Sequence, residues 1–229
     1  MKQSLFTMEH ARQLTADTYE LVLSGDTSAI TAPGQFVNIQ LPGKFLRRPI
    51  SICNWTKDAL LLLVRVVGEG THDLVRCVPG TELDVLSGLG NGFDPAPAGA
   101  RPLLVGGGVG ASPLYGLAQR MLEAGIAPTV GLGFRSGGDA FYLEEFGKLG
   151  CRLMVATEDG SLGTKGFVTD LARHVPECGY AFVCGPTPML KAVHGLPQLT
   201  GGQFSFEARM GCGFGACMGC SVPTGNGYK

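Results

Sequence analysis

Leu103–Leu114 reads LLVGGGVGASPL, and this stretch decides the fold of the 229-residue chain. Leu103–Val105 reads as a short buried strand, and a helix is predicted from Ala111 to Ala124. Between them stand Gly106, Gly107, Gly108 and Gly110. Glycines at such a corner let the chain turn tightly and bring its amides against a pyrophosphate, whose charge a helix N-terminus favours. The spacing is not a strict G-x-G-x-x-G, and a glycine corner can also serve packing alone. The position after a strand and before a helix favours nucleotide binding.

Downstream the same rhythm continues. Thr129–Leu132, Arg152–Ala156 and Ala181–Cys184 read as strands. Ala140–Lys148, Phe167–His174 and Thr187–His194 read as helices. Four strand–helix alternations imply a parallel sheet covered by helices, with ligands beyond the carboxyl ends of its strands. Cys184–Met189, CGPTPM, closes one of these strands. Either Gly185 and Pro186 simply turn the chain and open a helix, or Cys184 brings a polarizable thiol to the mouth of the nucleotide site. Thr157–Gly160, TEDG, reads by default as a turn.

Upstream the pattern is different. Tyr19–Leu23, Gln35–Leu41, Pro49–Cys53, Ala59–Val67 and Glu82–Leu86 are apolar or alternating runs bounded by Gly, Pro, Asn and Asp. Such spacing suggests a small antiparallel barrel, with one short helix over Thr71–Cys77. Asn91–Pro102, NGFDPAPAGARP, can continue neither kind of element and reads as the junction. In the barrel, Arg47-Arg48-Pro49-Ile50-Ser51 offers arginines for phosphate and a hydroxyl for a ring, against the plainer reading of solvent-facing arginines. Gly68–Thr71 before the short helix is a second anion-binding candidate. Two such sites in one small barrel point to one pyrophosphate-bearing ligand.

Composition narrows the classes. Glycine, 36 of 229 residues, stands at about twice the average share. The 45% hydrophobic content rules out disorder. A net charge of −1 without a basic block argues against nucleic acid or an acidic membrane surface. The start, MKQSLFTMEH, lacks the apolar run of a secretory signal. The 18 uncharged residues between Arg101 and Arg120 contain five glycines and two prolines, so they read as a loop rather than a membrane span. A cytoplasmic location is expected.

Of eight cysteines, three fall within nine residues: Cys212, Cys217 and Cys220, in GCGFGACMGC. The spacing C-x4-C-x2-C matches the plant-type iron–sulfur pattern, and the interleaved glycines let a loop wrap a cluster. Zinc is the competing reading, but it usually uses paired knuckles and often histidine. None of the four histidines follows the triplet. The pattern calls for a fourth cysteine, so either the sequence is a fragment or a ligand comes from elsewhere; the stop at GNGYK favours the fragment.

Taken in order, RRPISI, VVGEGTHDL, GFRSGGDAFYLEEF, TEDGSLGTKGFVTD and EARMGCGFGACMGC resemble the ferredoxin-reductase-like flavoproteins over nearly the whole chain. Within them the chain is similar to the electron-transfer subunits of the two-subunit, NAD-dependent dihydroorotate dehydrogenases. The resemblance implies a β plus α/β chain. A six-stranded antiparallel FAD-binding barrel would occupy residues 1–98, a parallel-sheet NAD-binding domain 99–200, and a C-terminal iron–sulfur segment 201–229. It implies FAD held by Arg48, Pro49, Ile50, Ser51, Leu63, Val64, Arg65, Gly70 and Thr71, with Arg48 on the pyrophosphate and Ser51 near the ring. NAD(H) would lie against Gly106, Gly107, Gly108, Gly110, Gly185, Pro186 and Met189, with Ser51 and Cys184 at the reacting centre. Cys212, Cys217 and Cys220 would hold a [2Fe–2S] cluster. The implied partner is an FMN-containing catalytic subunit that converts dihydroorotate to orotate in pyrimidine biosynthesis, in a 2+2 heterotetramer. Many relatives of the broader family carry an aromatic residue where Ile50 stands; the narrower group writes PIS, as here.

Two alternatives stay open at this level. One is an NAD(P)H–ferredoxin-type reductase subunit of another redox complex, since Arg135 and Ser136 follow the second nucleotide strand where a 2′-phosphate could sit. The other is a non-catalytic scaffold. No carboxylate pair or Ser–His–Asp set is visible, so no general acid–base residue is expected.

Overall fold

The protein is described from a computed structural model, which covers every residue except Ala100, Glu207, Asn226 and Lys229, and the side chain of Tyr228. Ala100 of the junction, Glu207 of the EARM motif, and Asn226 and Lys229 of the closing GNGYK therefore lie outside the described residues.

The N-terminal half is a closed six-stranded antiparallel barrel. Its strands are β1 (Lys2–Gln13), β2 (Thr18–Gly25), β3 (Phe36–Ile39), β4 (Arg48–Trp55), β5 (Ala59–Arg65) and β6 (Glu82–Leu89). They close in the order β1-β2-β5-β4-β3-β6. β1 is a strand that the sequence reading lacked. Only Phe6 and Met8 of its side chains are buried, and its second half is exposed, so its alternation is too short to stand out. It nevertheless pairs with both β2 and β6, and closure depends on it. The barrel is filled from alternate positions, among them Phe6, Leu21, Leu23, Val37, Ile50, Ile52, Leu62 and Val64. The short helix α1 (Glu69–Val75) begins and ends two residues earlier than predicted.

Beyond the junction a parallel sheet forms from β7 (Leu103–Gly107), β8 (Thr129–Phe134), β9 (Arg152–Thr157), β10 (Thr164–Lys165), β11 (Tyr180–Cys184) and β12 (Gly201–Ser205). Its order is β10-β9-β8-β7-β11-β12. The sheet thus has two strands more than the four predicted, and β12 extends it into the glycine-rich tail. The helices are α2 (Ala111–Glu123), α3 (Leu143–Lys148), α4 (Val168–Ala172) and α5 (Thr187–His194). α3 is shorter than the predicted Ala140–Lys148 because Tyr142 stands in the left-handed region, φ 63°, which stops a helix from continuing through it.

The two halves share a core. Cys53 and Leu63 of the barrel are buried in one cluster with Leu104, Leu114, Leu117 and Phe182 of the sheet and α2. α2 lies so close to β4 that a Cβ on Gly116 would stand 2.5 Å from the Cys53 carbonyl oxygen. Asn54 donates to Gln119 at 2.8 Å, and the Arg120 guanidinium sits 4.0 Å over the Trp55 ring. No helix among the described residues is long and apolar enough to cross a membrane.

Candidate active site

A cleft of about 570 Å³ opens at the carboxyl ends of the parallel strands, where the barrel faces the sheet. The sheet contributes Gly107 at the end of β7 with Gly108 and Val109 after it, Phe134 and Arg135 at β8, Glu158 after β9, and Gly185, Pro186, Pro188 and Met189 after β11. The barrel contributes Asp17, Thr18 and Arg65. Arg65 donates from Nε to Asp17 Oδ2 at 2.8 Å. Burial pushes the Asp17 carboxyl up, but hydrogen bonds from Arg65, Thr18 and Thr15 outweigh it and hold the group below its ordinary value. Sequence reasoning missed Asp17, in the short connection before β2, and Thr18, the first residue of β2. It named Arg65 as a lining residue of the barrel ligand, and the structure sets that residue on the wall of this cleft.

The four glycines at the end of β7 and the turn after it divide by task. Gly110 packs against the β11 turn, where an added Cβ would meet the Cys184 carbonyl oxygen at 2.1 Å and the Gly185 nitrogen at 3.0 Å. Gly106 is similarly closed in by Leu132 and Ala111. Gly107 abuts the Met189 sulfur, and both Gly107 and Gly185 line the cleft. Gly108, at φ 54°, has nothing within 4 Å of a Cβ and faces the open cleft. The packing reading of the glycine corner therefore holds at Gly106 and Gly110, while Gly107 and Gly108 are the corner glycines that line the cleft.

Cys184 is 2% exposed, packed with Phe182, Ala111 and Leu114, and it does not line the cleft. Its neighbours Gly185, Pro186 and Met189 do.

On the barrel, Arg48 crosses the start of α1: a Cβ on Gly70 would stand 1.8 Å from Arg48 Nε. Gly70 is thus a bare patch of backbone over which the guanidinium lies. The Arg48 Nη1 also donates to the Leu46 carbonyl. Pro49 is exposed and Ser51 half-buried, and the Ser51 hydroxyl makes no hydrogen bond among the described residues. Ile50 and Val64 point into the barrel core and Leu63 into the shared core, so these three can offer a ligand only backbone. The Thr71 hydroxyl accepts from Val67 N–H at 2.9 Å and Gly68 N–H at 3.3 Å, and donates to the Gly68 carbonyl at 3.0 Å. It closes the loop before α1 and does not face outward. Arg47 is bound bidentately to Asp84 at 3.0–3.1 Å, so the adjacent arginines have separate tasks.

The cysteine loop docks on the barrel through Asn38, whose Nδ2 donates to the Cys212 carbonyl at 3.0 Å. Gly213 lies against the same side chain. The Cys217 amide donates to Cys212 Sγ at 3.4 Å. With further amides from Phe214 and Ala216, it brings the Cys212 thiol down to about 6. Among the described residues, no three Cys, His, Asp or Glu side chains gather as a metal-holding group. The loop nonetheless supplies thiols and sulfur-directed amides of the kind a cluster needs.

A barrel set against a parallel sheet, with a glycine-lined cleft between them, defines an oxidoreductase of the ferredoxin-reductase-like class. The oxidoreductase NAD-binding domain family matches residues 104–195. The NADH-dependent reduced ferredoxin–NADP oxidoreductase structure superposes with a TM-score of 0.88 at 30% identity, covering 99% of this chain and 84% of that one. Phthalate dioxygenase reductase, at TM-score 0.71 and 18% identity over 89% of this chain and 67% of that one, shares the fold. The chain belongs to the family of dihydroorotate dehydrogenase B (NAD(+)) electron transfer subunits. It is 41% identical to the subunit from Listeria monocytogenes serovar 1/2a over 97% of this chain and 90% of that protein. It is 42% identical to the Bacillus cereus strain Q1 subunit over 100% of this chain and 93% of that protein.

Proposed function

We propose that the chain carries electrons between NAD(H) and a separate catalytic subunit that handles dihydroorotate, using FAD on the barrel and a [2Fe–2S] cluster on the cysteine loop. The observation that carries this reading is the cleft itself, lined by the turns after β7 and β11 and walled by the barrel. The names of the relatives supply the substrate and the partner. FAD, when bound, supplies the chemistry that links two-electron hydride transfer to one-electron transfer.

The residues divide the work as follows. Arg48, laid over Gly70, neutralises the flavin pyrophosphate, and Ser51 offers its hydroxyl to the ring. Gly107 and Gly108 admit the dinucleotide pyrophosphate to the backbone at the start of α2, and Pro186 and Met189 hold the nicotinamide end toward the barrel. Cys184, buried behind Gly185, acts as a positioning residue that fixes this turn. Cys212, Cys217 and Cys220 supply three cluster thiolates. Phe45, 98% exposed in the loop between β3 and β4, and the exposed Phe214 and Met218 of the cysteine loop suit coverage by the partner. An FMN-containing partner, a 2+2 assembly and a cytoplasmic setting complete the reading. The ferredoxin-reductase alternative is not favoured, because identity to that oxidoreductase is 30% against 41–42% to the family's subunits.

An anaerobic visible spectrum of the purified chain, before and after NADH, is the test. Flavin bands that bleach on NADH, with an added broad absorbance toward the red, are expected. A colourless protein that stays colourless after reconstitution with FAD would overturn the reading.

A further inference from the structure

Strand β3 carries the cysteine loop on the same barrel wall that carries the flavin motif. Val37 and Ile39 fill the barrel core, so Phe36 and Asn38 face outward. Their register partners on β4 are Ser51 and Pro49, which share that outer face because Ile50 between them points inward. Directly opposite residues of such a pair have Cα atoms about 5 Å apart. The flavin motif and the seat of the loop are therefore neighbouring columns of one wall.

The loop meets β3 with its backbone. Asn38, although it faces outward, is 1% exposed. Its Nδ2 donates to the Cys212 carbonyl at 3.0 Å. Gly213 follows at φ 76°, and a Cβ there would stand 2.8 Å from Asn38 Nδ2 and 3.5 Å from the Phe36 ring. Both the conformation and the close approach call for glycine. Asn38 is held in turn: its carbonyl accepts from Arg47 Nη1 at 3.3 Å, and Arg47 is bound to Asp84 of β6. Asn38 Oδ1 is buried and accepts no hydrogen bond among the described residues. A buried amide oxygen without a donor carries a desolvation cost that an apolar side chain would avoid. The barrel makes no use of the Asn38 amide; among the described residues its side chain bonds the cysteine loop alone.

We propose that Asn38 is a positioning residue for electron transfer: by bonding the Cys212 carbonyl it seats the first cysteine of the loop beside the flavin strand, and so fixes the separation between FAD and the cluster. The proposal rests on the reading of the loop as the cluster's holder and of β4 as the flavin strand.

Hydrogen exchange of the full chain, followed by mass spectrometry, tests the seat whether or not a cluster is loaded. In Asn38→Ala the amides of residues 211–222 should exchange about fivefold faster, the worth of one hydrogen bond, while those of β2 and β5 keep their rates. Gly213→Ala, whose methyl would push the loop off the same side chain, should do likewise, and should add little once Asn38 is alanine. Unchanged loop exchange in Asn38→Ala overturns the proposal, and so does equal acceleration in loop and barrel. Should Asn38→Ala not fold, Gly213→Ala carries the same test with the same outcomes.

Rapid mixing of the loaded chain with NADH tests the separation. Hydride transfer gives FAD two electrons and bleaches its band; one of them then passes to the cluster and lowers the absorbance toward the red. Asn38→Ala should slow the second change several-fold relative to the first, whereas general destabilisation would leave their ratio where it was. A ratio equal to that of the wild type overturns the positioning role. A wild-type chain that takes up FAD but no cluster counts against the cluster reading and removes this role with it. Normal cluster uptake with unmoved loop exchange counts against Asn38 alone.

Discussion

At the scale of single residues, the glycine corner after β7 shows how one short motif does two jobs. Gly110 exists for backbone contact with the β11 turn, and Gly108 for a conformation that leaves the cleft open. Their alanine variants should therefore fail differently. Gly110→Ala drives a methyl into the Cys184 carbonyl, where neither backbone can yield, and should cost about 3 kcal/mol in denaturant unfolding. Gly108→Ala meets no atom and carries only the left-handed penalty of about 1 kcal/mol, but should weaken dinucleotide binding. Equal stability losses in the two variants would refute this division. The sequence could say that glycines were needed here. It could not say which of them a ligand would touch, because that depends on the neighbouring β11 turn, some 75 positions away in the chain.

At the scale of elements, α3 is fastened to the barrel by a buried polar contact. The Tyr142 hydroxyl donates to Glu20 Oε2 at 2.6 Å, while Arg12 grips the same carboxylate from Nε and Nη2 at 3.0 Å each. Burial raises the Glu20 carboxyl, but the bonds from Arg12 and Tyr142 prevail and hold it below its ordinary value near 4.5. A group so depressed stabilises the fold above the unfolded value, and that contribution is lost as pH falls through the folded value. Wild-type stability should therefore drop more steeply than that of Glu20→Gln as pH falls from about 6 to about 3, measured by denaturant midpoints. Tyr142→Phe should cost about 2 kcal/mol at neutral pH, since it strips a hydrogen bond from a buried charge. The apolar runs of β2 were readable from sequence. That Glu20, a charged residue inside one of them, faces α3 was not, because its partner comes from the other half of the chain.

At the scale of the whole molecule, barrel and sheet are built as one cooperative body around the contact of α2 with β4. Cys53 and Leu63 of the barrel are buried in the same cluster as Leu114, Leu117 and Ala118 of α2. Thermal unfolding followed by barrel and sheet probes should give one coincident transition. Gly116→Val, which wedges a branched side chain against the Cys53 carbonyl, should lower the melting temperature and separate the two transitions. Two separate transitions in the wild type would show that the shared core does not couple them. The alternation of strands and helices, the switch at Asn91–Pro102 and the glycine turn were all legible, because each rests on local periodicity or on residues that restrict the backbone nearby. β1 and β12 were not legible: one has too short a buried run, and the other is half-exposed and opens on two glycines, so both are held by pairing with strands far away.

By itself, then, the sequence determined the two-part architecture and the chemistry on offer: a glycine corner for a pyrophosphate, an arginine on a barrel strand, and a cysteine loop. Only the tertiary structure decided where those groups go. It put Arg48 over Gly70, buried the side chains of Thr71, Ile50, Val64 and Cys184, and set Arg65 and Asp17 on the cleft wall. The physical reason is that strand and helix propensities act over a few residues. Whether a side chain faces a core, a partner or a cleft is fixed by what packs against it from elsewhere in the chain.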